Sequence, residues 1–167
     1  MRRCEFFWGR RKTTRYHPTF AWAFANVLIS AGRYDEAAEH CQKLPVNHIF
    51  RSEILGRARL GQSRHEEAIQ FLASDATLPN RGFLGYAYAR SGRRDEAEKL
   101  LTGLSNPYQQ TLIFAGLGDK DRTFEALDRM AALGAVRLGR TLTFPELNLV
   151  RGDPRLKALR KKVGLPE

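Results

Sequence analysis

One short block recurs four times along the chain, and it constrains the fold more than any other feature. It reads Gly32-Arg33-Tyr34-Asp35-Glu36-Ala37, then Ser63-Arg64-His65-Glu66-Glu67-Ala68, then Gly92-Arg93-Arg94-Asp95-Glu96-Ala97. A degraded copy follows at Gly118-Asp119-Lys120-Asp121-Arg122-Thr123. The last residues of successive copies lie 31, 29 and 26 positions apart. A period of this size marks stacked supersecondary units, because one such unit cannot bury its own apolar face.

Each block is a tight turn followed by the first turn of a helix. Gly32, Gly92 and Gly118 supply the permissive backbone of a short helix–helix turn. The acidic pairs of the first three blocks fall where the helix macrodipole favours negative charge. Apolar residues recur at helical spacing before each block: Trp22, Phe24, Ala25 and Leu28 in the first repeat, Ile54, Leu55 and Ala58 in the second. They recur after it too, as in Ala38, Cys41 and Leu44 or Phe124, Leu127 and Met130. Pro18 and Pro107 suit first-turn positions, Pro107 behind a capping Asn106. Residues 18–133 are therefore expected to form eight paired helices without a β-sheet.

On these residues the chain resembles the tetratricopeptide repeat family, a helix–turn–helix repeat. The family's small residue at repeat position 8 falls on Ala25, Gly56, Gly85 and Thr111, and that at position 20 on Ala37, Ala68, Ala97 and Thr123. The resemblance implies an all-α fold, a right-handed superhelix of antiparallel helix pairs closed by a C-terminal capping helix. It divides the chain into a basic leader at 1–17, three good repeats plus one degenerate repeat at 18–133, and a capping segment at 134–167 with a short basic helix. Asp153-Pro154 reads as cap and first helical position of that helix. Together with Gly118-Asp119-Lys120-Asp121, Asp153-Pro154-Arg155-Leu156 and Gly164-Leu165-Pro166, it is similar to the carboxyl end of bacterial multidomain signalling and regulatory proteins. The two threonines of the fourth repeat are expected to wedge its helices apart, with Phe144, Leu147, Leu156 and Leu159 covering the end of the stack.

The net charge of +10 is carried by the two ends. Residues 1–17 hold six basic residues and one acid, and residues 137–167 hold eight and three. Between them the charges balance, so overall basicity is poor support for a nucleic-acid partner. Two cysteines, Cys4 and Cys41, make no disulfide framework. With no apolar run near the ~20 residues of a membrane span, a cytoplasmic location is expected. The leader mixes Arg2, Arg3, Arg10, Arg11 and Lys12 with Phe6, Phe7 and Trp8, a pattern that suits an anionic surface as well as an unordered leader.

No catalytic constellation emerges. The four histidines, His17, His40, His48 and His65, have no partners at metal-ligand spacing. There is no phosphate loop and no nucleophile–base pair, so neither enzyme activity, metal nor cofactor is expected. What remains is surface. The resemblance implies a concave groove lined by the first helix of each repeat, and its groove positions fall on Trp22, Asn26, Phe50, Arg57, Tyr86 and Arg90, among others. Aromatics with arginine are typical of binding hot spots, although Trp22 and Tyr86 equally suit packing between helices. The function implied is a protein–protein interaction module that holds a peptide or helix. Alternatives are nucleic-acid or anionic-surface binding through the basic ends, or service as the regulatory tail of a larger signalling protein.

Overall fold

The computed structural model describes residues 18–74 and 78–166. The leader at 1–17 lies outside the described residues, and so does the reading made of it. Among these described residues ten α-helices follow in order: α1 (Pro18–Ser30), α2 (Tyr34–Gln42), α3 (Arg51–Gly61), α4 (His65–Ala73), α5 (Leu78–Arg90), α6 (Arg94–Leu101), α7 (Pro107–Leu117), α8 (Lys120–Ala131), α9 (Ala135–Leu142) and α10 (Pro154–Lys162). A 3-10 segment, Pro145–Val150, joins α9 to α10. Among the described residues there is no β-strand.

The four repeated blocks close four helix hairpins in the same way. Gly32, Ser63, Gly92 and Gly118 all adopt positive φ, between 60° and 84°. At each, the next residue's N–H reaches back to the carbonyl five residues earlier: Arg33 to Leu28, Arg64 to Arg59, Arg93 to Tyr88 and Asp119 to Phe114. This is the Schellman closure, which satisfies carbonyls that the helix end would otherwise leave open. Ser63 holds the left-handed conformation without being glycine. On the far side of the first three turns, Arg33, Arg64 and Arg93 pair with Glu36, Glu67 and Glu96. The fourth repeat inverts the polarity: Asp119 caps α8 by accepting from Arg122 N at 2.9 Å and pairs with the Arg122 side chain.

Consecutive helices pack on one another, and the odd-numbered helices α1, α3, α5 and α7 also lie side by side as one layer. The tightest seam in that layer joins α5 to α7. A Cβ at Gly85 would stand 2.6 Å from Ile113 Cγ1, and one at Gly116 would stand 2.8 Å from Tyr86 Cα. Gly85 thus serves the contact with the next hairpin rather than the contact with Ala97 in its own. Gly56 does serve its own hairpin, where a Cβ would strike Leu72 of α4.

One expectation needs correction. Thr111 and Thr123 do not wedge their hairpin open: both are fully buried, and α7 packs on α8 as extensively as α3 packs on α4. Each hydroxyl instead donates to its own helix, Thr111 to Pro107 O at 2.8 Å and Thr123 to Asp119 O at 2.5 Å. Such back-bonding satisfies the hydroxyl without a partner across the interface. Within 134–167 a short basic helix, α10, is present, and α9 and the 3-10 segment precede it. Leu138, Thr141 and Leu142 carry the helical spacing of α9, and Leu138 and Thr141 are fully buried.

The tail does cover the end of the stack, through Leu147, Val150 and Leu159 against Leu127 and Met130 of α8. Two exposed ion pairs link α10 to α8, Arg155–Asp121 at 2.7 Å and Lys162–Asp128 at 2.7 Å. Phe144 behaves differently: it packs with Leu72, Phe83 and Leu112, away from that end.

Candidate functional site

The layer of odd-numbered helices has one face not covered by the even-numbered ones, and the segment from Phe144 to Glu146 crosses it. Arg57, in the middle of α3, is the centre of this crossing. It is 1% exposed. Its guanidinium carbon lies 4.4 Å from the Phe83 centroid and 4.2 Å from that of Phe144, and because the two centroids are only 6.1 Å apart the rings flank the cation at about a right angle. Phe83 comes from α5, while Phe144 comes from the tail, 87 positions beyond Arg57.

The edges of the guanidinium are equally engaged. Nε donates to Glu146 Oε1 at 2.8 Å and Nη2 to Glu146 Oε2 at 3.1 Å, a two-pronged pair that matches fork to fork. Nη1 donates to Asn26 Oδ1. Asn26 in turn donates from Nδ2 to Trp22 O at 2.8 Å. Glu53, one helical turn before Arg57, approaches Nη1 at 3.8 Å and accepts from Trp22 Nε1 at 3.0 Å. Tyr108 of α7 closes the aromatic wall, edge-on to both Phe83 and Phe144.

One buried cation here faces two buried carboxylates. Burial pushes the Glu53 carboxyl above its ordinary range. Arg57 and the Trp22 hydrogen bond oppose the rise, and the charge of Glu146 adds to it. Arg57 itself is shifted upward: burial alone would lower it, but the two carboxylates outweigh that, Glu146 most. The Tyr108 and Tyr86 phenols are both raised by burial first. The cluster contains no nucleophile, and every guanidinium nitrogen is already committed. Its chemistry is recognition of an acid and an aromatic ring by an arginine.

The six residues singled out in the sequence divide accordingly. Trp22, Asn26 and Arg57 meet in this network. Phe50, the residue before α3, packs its ring 5.8 Å from that of Trp22. Tyr86 is half-buried and lines a crevice of about 160 Å³ with Tyr34, Arg57 and Glu146. Arg90 is exposed at the last position of α5, near enough for its charge to act on Tyr86 but outside the Arg57 network. Sequence reasoning missed Phe83, Tyr108 and Glu146, and gave Phe144 a different place. The available signal was Arg57 itself, a charge within the apolar run Ile54-Leu55-Gly56-Arg57-Ala58.

The tail does not fill the whole face. On its α1 side an open cleft of about 530 Å³ lies between Trp22, Asn26, Val27, Ser30 and Arg140. Arg140 of α9 stands 4.9 Å over the Trp22 ring. A second cleft of similar size, about 540 Å³, lies elsewhere, between the 46–49 loop and α3 and α4. Its His48 is lowered by burial, with Arg51 and His40 contributing.

Among the described residues, no three His, Cys, Asp or Glu side chains gather as a metal site, and no helix is long and apolar enough to cross a membrane. Comparison with protein-family models, with curated proteins and with solved structures gives no match.

Proposed function

We propose that the chain is a tetratricopeptide-like superhelix acting as a non-catalytic protein–protein interaction module, with the free face of α1, α3, α5 and α7 as the surface that receives a polypeptide segment. One observation carries this reading. That face already holds a stretch of non-α-helical polypeptide from Phe144 to Glu146, through Arg57, which pairs with Glu146, and through the rings of Phe83 and Tyr108, which pack on Phe144. A surface that desolvates an arginine beside aromatic rings has the make-up of a protein–protein hot spot. The adjoining cleft beside Trp22 and Asn26 leaves room for more chain.

The basic α10 offers less support for nucleic-acid or anionic-surface binding. Two of its cations, Arg155 and Lys162, are paired with acids of the body. Any such binding is then diffuse and steeply dependent on salt.

The test is selection of a random peptide library on the full chain, followed by hydrogen-exchange footprinting of the selected peptides. Protection concentrated on α1, α3 and α5 supports the module. Selection that yields no peptide protecting that face, alongside tight, salt-sensitive binding to DNA or to anionic vesicles, rejects it.

A further inference from the structure

The tail occupies the place that the proposed function assigns to a partner. We propose that Phe144-Pro145-Glu146 is an internal stand-in for that partner: the face of α1, α3 and α5 takes from another protein a short segment in which an aromatic residue precedes a carboxylate by two positions, and the chain's own segment holds the seat until it is displaced. This rests on the interaction-module reading and narrows it to one ligand chemistry.

The argument begins from what the seat lacks without the tail. Arg57 would keep the Phe83 ring, Asn26 on one nitrogen and Glu53 at 3.8 Å. It would lose the second ring, Phe144 at 4.2 Å, and both hydrogen bonds to Glu146. A guanidinium left with one of its two ring neighbours and two unused N–H groups in a fixed fork asks for a ring and a carboxylate together. An aliphatic segment satisfies neither, and a basic segment is repelled. The spacing follows from the tail's backbone. Phe144 is extended, at φ −71° and ψ 133°, as a residue before proline tends to be. Pro145 then begins the turn that swings Glu146 onto the edges of the guanidinium that the Phe144 ring packs against.

The seat is open on both sides of the stand-in. Trp22, Val27 and Ser30 line the cleft toward α1, and Tyr34, Leu60 and Tyr86 line the crevice on the other flank. A longer segment can continue across Trp22 where the tail instead turns back into α9. The tail competes as part of the same molecule, so it acts at a high effective concentration. A partner's apparent affinity is reduced by the fraction of molecules in which the seat is free.

The probe is a fluorescent synthetic peptide of residues 141–151, titrated by anisotropy into the intact chain and into its Glu146→Gln variant. Binding to the variant is expected to be at least tenfold tighter than to the wild type. It should be lost when the peptide's phenylalanine is replaced by alanine or its glutamate by glutamine. Because those changes lie in the peptide, they leave the folding of the protein untouched. Should the variant not fold, the wild-type chain with excess peptide gives the answer: amides of 147–151 should exchange faster while those of α3 and α5 stay protected. If the peptide binds neither protein, or binds regardless of its ring and acid, the proposal is wrong. Library peptides that protect the same face but share no aromatic–x–acid pattern would also overturn it, while leaving the module intact. A concentration-dependent dimer of the variant that excludes the peptide would overturn it in favour of a second copy as the occupant.

Discussion

Glu53 and Glu146 are both buried glutamates beside Arg57, and replacing each by glutamine should have opposite consequences. At an effective dielectric of about 20, Coulomb's law gives about 6 kcal/mol of attraction for Glu146 at 2.8 Å and about 4 kcal/mol for Glu53 at 3.8 Å. Desolvation opposes both. For Glu53 the balance is visible in its raised pKa: the surroundings disfavour its charge despite Arg57. Neutralising it removes that penalty and the repulsion from Glu146, while the glutamine oxygen can still accept from Trp22 Nε1. Glu53→Gln is therefore expected to leave stability at pH 7 unchanged or to raise it by about 1 kcal/mol, as replacing a poorly compensated buried charge can. Glu146→Gln removes the acid that answers Arg57 on two nitrogens, and breaking a buried pair in this way typically costs about 3–5 kcal/mol. Glutamine retains some hydrogen bonding, so a loss of about 2–4 kcal/mol is expected, which with a urea slope of about 1–3 kcal/mol/M lowers the midpoint by about 1 M or more.

The pH dependence gives a second check on the same reasoning. Glu53 has a folded pKa above its ordinary value of 4.5, so the folded state binds the proton more tightly than the unfolded state does. Stability linked to this group is highest below pH 4.5 and falls as pH rises through the folded pKa. Exposed or partly buried acids with lowered pKa values, such as Glu36, Glu96, Asp119 and Asp153, act with the opposite sign: their contribution is lost as pH falls below the ordinary range. The windows are separate, and Glu53→Gln should flatten only the decline above pH 4.5. Equal midpoint shifts for the two variants, or a wild-type decline that survives in Glu53→Gln, would refute this account of the cluster.

Four further outcomes are expected. Ser63→Gly should stabilise by about 0.5–1 kcal/mol in denaturant melts, since among the described residues Ser63 alone carries positive φ without being glycine; a loss would show that its side chain matters to the turn. Gly116→Ala should destabilise by about 1–3 kcal/mol although alanine is the better helix former, because its Cβ would meet Tyr86 backbone at 2.8 Å; a gain would mean the α5–α7 seam is looser than described. Ala68→Leu should cost a similar amount and Glu67→Gln almost nothing, as Ala68 is fully buried while the Glu67 carboxylate, 40% exposed, stays in contact with solvent. In a Cys4→Ser background, Cys41 should resist a thiol reagent at pH 8 until the chain unfolds, because burial raises its thiol to about 11; rapid native labelling would contradict that burial.

The hairpins were legible because their determinants are local. A left-handed residue, an arginine and a glutamate at fixed offsets define each turn, and all lie within one window of sequence. The helix α9 was missed for a related reason: it follows Gly134 without a repeat block to announce it, and only Leu138, Thr141 and Leu142 mark its period. The candidate surface was legible in part. Three of the positions named within the repeat, Trp22, Asn26 and Arg57, meet in one network, but position could not distinguish Arg57 from Arg90. Both are arginines on the first helix of a repeat. One lies in mid-helix among apolar neighbours and the other at a helix end beside the turn, where water solvates its head. A charge in the first position cannot be buried without a partner. The partner is 89 residues away, in a segment with neither repeat nor helical period, so nothing local points to it. The apolar run around Arg57 did carry the question of where its acid comes from. The answer depends on the tail folding back over α3 and α5, which follows from the path of α8 and α9 rather than from any residue near Arg57.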